Sequence, residues 1–141
     1  MTALKAHVSL KVSNLERSVT FYQAMLGLEP VKYKADYAKF DSDNPPLNLT
    51  LEASSIANSG GTLSHLGIQV ESSAEVRDAI ARFQQAGLAT FEEKDRDCCY
   101  ALQDKVWVTD PDDTRWEVFV VKVADTTPET NRQVTQQPCC S

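Results

Sequence analysis

Residues 7–12 read HVSLKV and residues 65–70 read HLGIQV. Each stretch opens on a histidine, alternates apolar and polar side chains as a half-buried strand does, and runs directly into a helical signature. After the first, Ser13 and Glu16 stand in capping-box spacing, Leu15, Val19, Tyr22 and Leu26 recur at helical intervals, and Gly27 supplies a stop. After the second, Ser72 and Glu75 offer the same box, Val76, Ile80, Phe83 and Ala86 form the stripe, and Gly87 ends it. The first helix is followed by EPVKYKADYAKFDSD, which reads as two short strands around a turn, and by the strand PPLNLTLEAS. The second is followed by ATFEEKD, KVWVTDPDD and RWEVFVVKV.

Strand, helix and three strands therefore occur twice. The opening strands align at an offset of 58 residues (7 to 65), and DSDNPPLNLTL (41–51) lies over DPDDTRWEVFV (110–120) at an offset of 69. The extra residues of the second half fall between its helix and its last strand, an interval that contains DRDCCY (95–100). A repeat too short to close its own core needs its twin. The expectation is an α+β domain over residues 1–123, built of βαβββ modules at about 4–54 and 63–123 joined by the linker SSIANSGGT. Residues 124–141 are polar, lack apolar periodicity, and read as a flexible tail.

The chain has 141 residues and a formal charge of −6, which argues against nucleic acid or an anionic membrane as a partner. No apolar run has the length of a membrane span, and the start MTALKAHVSLKV alternates like a strand, so a cytoplasmic protein is expected. In a reducing compartment thiols serve metals or redox chemistry more often than disulfides. The four cysteines come as two adjacent pairs, Cys98–Cys99 and Cys139–Cys140. Neighbouring residues make a poor disulfide; a cross-link between the two pairs is the plain alternative.

His7 and His65 are the two histidines, and they hold equivalent places in the repeat. Each is either a strand-end histidine bonded to a neighbour or one of a matched pair of ligands. Glu117 alternates with Trp116 and Val118 in an apolar strand, where an acid needs a compensating partner. A cation would serve, as would an ion pair with Arg115 or Lys122 on an exposed edge. The first-half counterpart of Glu117 is Asn48, a weak neutral ligand. Two imidazoles and one carboxylate leave coordination positions open, which suits Fe(II) that meets oxygen and, less distinctively, zinc or another divalent ion.

The doubled module, the paired histidines and DPDDTRWEVF together resemble the vicinal oxygen chelate superfamily, which includes glyoxalase I, fosfomycin resistance proteins and type I extradiol dioxygenases. DRDCCYALQDKVW, HVSLKVSNLERSVTFYQAMLGLEPVKYKADYAKFD and PPLNLTLE resemble the organoarsenical carbon–arsenic lyases and their cadmium-induced relatives. The resemblance implies an open, cup-shaped mixed β-sheet around a metal site, with Fe(II) held by His7, His65 and Glu117. It places a trivalent methyl or aryl arsenical on Cys98 and Cys99, with O2 as co-substrate and arsenite as product, in a monomer or homodimer. Soft arsenic prefers sulfur, and two thiolates fill its two exchangeable positions. Arg96, Lys94 or Lys105 would favour the thiolates by opposing their charge. Tyr100 and Lys105 are candidates for proton handling. Two rival readings are a non-catalytic arsenic or cadmium binder and a glyoxalase or thiol transferase on the same scaffold.

Overall fold

A computed structural model describes residues 4–55, 61, 63–98 and 101–123. Most of the linker, Cys99, Tyr100 and the tail with Cys139 and Cys140 lie outside the described residues. The order is β1 (Ala6–Val12), α1 (Leu15–Leu26), β2 (Lys32–Tyr33), β3 (Tyr37–Asp43), β4 (Pro46–Ala53), then β5 (Leu66–Gln69), α2 (Ser73–Gln85), β6 (Phe91–Cys98), β7 (Ala101–Thr109) and β8 (Arg115–Val123). The fold is α+β, and the βαβββ module appears twice. Each copy forms a four-stranded mixed sheet, ordered β1-β4-β3-β2 in the first and β5-β8-β7-β6 in the second. In both, the opening strand lies parallel to the last strand of its own module.

Two compact units result, the first comprising residues up to Gly61 together with Thr109–Thr114, the second the remaining described residues. In the first, α1 buries Leu15, Ser18, Val19, Phe21, Tyr22 and Met25. Met25 is buried where Leu26 is expected, and Leu26 is half-buried. Asn14, one residue after the expected Ser13, is the N-cap, and its side chain accepts from Arg17 N–H at 3.0 Å. Gly27 closes the helix at φ 70°, a left-handed conformation that suits glycine. Beneath it lie Val12, Ala38, Phe40, Leu47, Leu49 and Leu51.

The turn after β7 belongs to this first unit. Tyr22 Oη donates to Asp110 Oδ2 at 2.6 Å, and Ser13 N–H donates to both oxygens of Asp112 at 3.2 and 3.1 Å. Asp110 Oδ1 in turn accepts the amides of Asp112 and Thr114 at 2.8 Å, so its carboxylate organises the loop from within.

In the second unit α2 buries Val76, Ala79 and Phe83, while Ile80 is half-buried and Ala86 exposed. Ser72 caps it as expected, accepting Glu75 N–H at 3.2 Å. The Glu75 carboxylate reaches back to Glu71 N–H at 2.8 Å, one residue before the cap. α2 meets β8, whose alternate residues Trp116, Val118 and Val120 are buried. The β6–β7 ladder slips between Glu93 and Arg96, where Asp95 adopts φ 51°. Asp104 fastens that bulge by accepting Asp95 N–H and Ser73 Oγ, each at 2.8 Å.

Candidate metal and substrate site

His7 lies in β1 and is exposed, and its ladder partner is Asn48. Asn48 also pairs with Asp41 on β3, so the three residues stand abreast on one face of the first sheet. Asn48 Oδ1 is buried and accepts no hydrogen bond from a described residue. Lys5 binds Asp41 and, at 2.7 Å, Asp43. The Lys5 hydrogen bond holds the Asp41 carboxyl below its usual value.

His65 comes one residue before β5 rather than inside it. Its Nδ1 is 2.8 Å from Ser64 Oγ, and its ring meets Trp107 edge-on at 5.1 Å. In the tautomer protonated at Nδ1, which would donate to Ser64 Oγ, Nε2 keeps the lone pair a cation needs.

Glu117 is 8% exposed. Its partner is neither Arg115 nor Lys122 but Lys105, whose Nζ is 3.1 Å from Oε2. Oε1 has no hydrogen bond to a described residue. The carboxylate owes its space to Gly67, its ladder partner on β5. A Cβ there would stand 2.9 Å from Glu117 Cγ and 3.3 Å from Phe119 Cε1. In the first unit the position matching Glu117 faces His7 instead, so the parallel registers of the two sheets differ by two residues. A shift of two preserves which side chains face which way.

Lys105, a candidate for proton handling, is 1% exposed, with its ammonium between the rings of Trp107 at 5.6 Å and Phe119 at 5.8 Å. Trp107 is itself fixed: Nε1 donates to Glu93 Oε1 at 3.1 Å, and the Arg115 guanidinium lies 4.4 Å over the ring. Alternation puts Lys105 and Trp107 on one side of β7, and Arg115, Glu117 and Phe119 on one side of β8; the pairing of the two strands joins the two sets.

Cys98 is the last residue of β6, with Ala101 as ladder partner on β7. Ala101 is four residues before Lys105, roughly 13 Å along the strand at ~3.3 Å per residue. Cys99 and Tyr100 lie outside the described residues. Among the described residues, no three His, Cys, Asp or Glu side chains are gathered as a metal-holding group. The donor types nonetheless suit a divalent ion: Glu117 is a buried carboxylate bonded to Lys105 through one oxygen, and His65 is an imidazole whose Nδ1 is engaged with Ser64 Oγ. No described helix is long and apolar enough to cross a membrane.

Comparison with known proteins bears on the same segments. A trivalent organoarsenical cleaving enzyme of Bacillus sp. (strain MD1) is 48% identical over 136 residues, spanning 96% of this chain and 81% of that protein. The cadmium-induced protein CadI of Mycobacterium tuberculosis is 46% identical over 117 residues, spanning 83% of this chain and 76% of that one. The crystal structure of a glyoxalase/bleomycin resistance protein/dioxygenase from Alicyclobacillus acidocaldarius superposes with a TM-score of 0.69 at 15% identity, covering 84% of this chain and 91% of the other. That last likeness speaks for the fold. A family model matches from residue 5, just before β1, to residue 118 in β8, across both copies of the module, and by it the chain belongs to the glyoxalase/bleomycin resistance protein/dioxygenase superfamily.

Proposed function

We propose that this chain cleaves the carbon–arsenic bond of trivalent organoarsenicals, using Fe(II) and O2. One observation carries the reading: relatives named trivalent organoarsenical cleaving enzymes are 46–48% identical over most of their own length. The residues supply the chemistry the reaction needs. His7, His65 and Glu117 would hold the iron; two neutral nitrogens and one carboxylate leave positions open. Bound Fe(II) supplies the one-electron chemistry through which O2 reacts with a spin-paired substrate.

Cys98 and Cys99 would displace the two hydroxyls of a methyl- or aryl-arsenite as water, forming two As–S bonds and leaving the As–C bond intact. Cys98 ends β6, and β7, its partner strand, carries Lys105. Holding arsenic there exchanges a free encounter for an oriented one. The methyl reaction balances without an added reductant: methylarsenite and O2 give arsenite and formaldehyde, carbon being oxidised by four electrons and O2 reduced by four.

Cys98→Ser and Cys99→Ser test the division of labour. Each should lose at least ~100-fold in methylarsenite affinity, since one thiolate closes no chelate, while metal content stays at the parent level. Parallel loss of metal would make the cysteines metal ligands and overturn the assignment. A second reading, sequestration of soft ions by thiols, is favoured by the relative named for cadmium induction. It predicts stoichiometric arsenic or cadmium binding with no arsenite released in air.

A further inference from the structure

We infer that Lys105 is a built-in counter-charge that weakens the hold of Glu117 on its metal and discriminates against a trivalent ion in favour of a divalent one. The inference rests on the reading of Glu117 as a metal ligand. The Lys105 ammonium is bonded to Glu117 Oε2 at 3.1 Å, with side-chain exposures of 1% and 10% for the pair. It has little room to retreat. Trp107 and Phe119 flank it, and Glu93, its ladder partner across β6, is occupied at Oε1 by the Trp107 indole N–H.

In the metal-free chain this contact answers the need of a buried carboxylate for a cation. A metal held by Glu117 would share that carboxylate with the ammonium, in surroundings where water screens poorly. The repulsion grows in proportion to the charge on the ion, so Fe(III) is penalised more than Fe(II). Lys105 acts through Glu117 as a positioning and tuning residue. It keeps the acid satisfied without metal and keeps iron ferrous with it.

The test uses the full chain stripped of metal, with Zn(II) affinity read by competition against a chromophoric chelator. K105Q keeps a hydrogen-bond donor and loses the charge; K105M loses both. Both should bind Zn(II) about tenfold tighter than the parent or better, given the strength of charge interactions away from water. Loaded with Fe(II) and opened to air, both should accumulate the ferric electron-resonance signal several-fold faster. A merely structural Lys105 would leave K105Q at the parent affinity and weaken K105M. Where K105M fails to fold, K105Q decides alone. Zn(II) binding that depends on Glu117 (lost in E117A) but is unchanged or weakened in K105Q overturns the inference while sparing the metal reading. Zn(II) binding indifferent to E117A overturns both.

Discussion

At the place where the first unit sets Asn48 beside His7, the second sets Glu117 beside Gly67. The two modules have the same order and the same parallel closure, yet their matched positions treat charge differently. In the first sheet the ionic groups Lys5, Asp41 and Asp43 pair at the surface, and the half-buried matching position holds a neutral amide. In the second, a carboxylate and an ammonium are buried against each other between aromatic rings. Burying such a pair seldom adds net stability over an apolar pair. The pair stands beside Trp107, whose ring meets His65 edge-on. Among the described residues, the module that follows α2 carries the buried ion pair, and the module that follows α1 carries a neutral amide at the matching place.

The contrast is broken most severely at its two matching positions. E117A should lower metal affinity at least ~100-fold and cost about 3–5 kcal/mol, because Lys105 is left buried without its partner. N48A should change metal affinity less than about threefold and stability little, since its Oδ1 has no hydrogen bond to lose. Chelator competition and urea unfolding measure both; an N48A as damaging as E117A would erase the distinction.

Next comes Gly67→Ala, whose Cβ would press on Glu117 Cγ. A loss of about 1–3 kcal/mol is expected, as for other overpacked sites, with metal affinity falling in step. Ser9→Ala, at the matching exposed position of the first unit, should do neither. Tyr22→Phe removes the buried bond to Asp110 and should cost about 1–3 kcal/mol without touching metal binding. The second unit has no counterpart, since Ile80 stands at the matching helical position.

The smallest effect concerns acid. Burial acts to raise the Asp104 pKa, but the hydrogen bonds from Asp95 N–H and Ser73 Oγ, with Lys122 at 3.5 Å, outweigh it and hold the carboxyl below its usual value. A lowered folded pKa means stability that is complete above about pH 4 and lost as pH falls through that lower value. D104N should therefore unfold at lower urea than the parent at pH 7, and the gap should close in acid. A gap that widens in acid would reverse the sign.

The doubled module was legible because two periods, 2 and 3.6, alternate in the same order twice. Helix stripes and caps were legible to within a residue, as Asn14 for Ser13 and Met25 for Leu26 show. The buried acid at Glu117 stood out against its apolar neighbours, but its partner did not. Lys105 and Glu117 are twelve residues apart on adjacent strands, and only the strand register brings them together. Register also explains His65. The repeat alignment puts it level with His7, while the pairing of Gly67 with Glu117 moves it ahead of its strand. Gly67 itself carried no signal, because its role lies in the side chain it makes room for.

The most direct measurement follows oxygen and arsenic together. Chain loaded anaerobically with Fe(II) is mixed with methylarsenite, O2 is admitted, and oxygen uptake, formaldehyde and arsenic species are recorded. Carbon–arsenic cleavage predicts one arsenite and one formaldehyde for each O2 consumed, over many turnovers and only with iron present. Methylarsenite recovered unchanged from the protein, with no oxygen consumed, would contradict it.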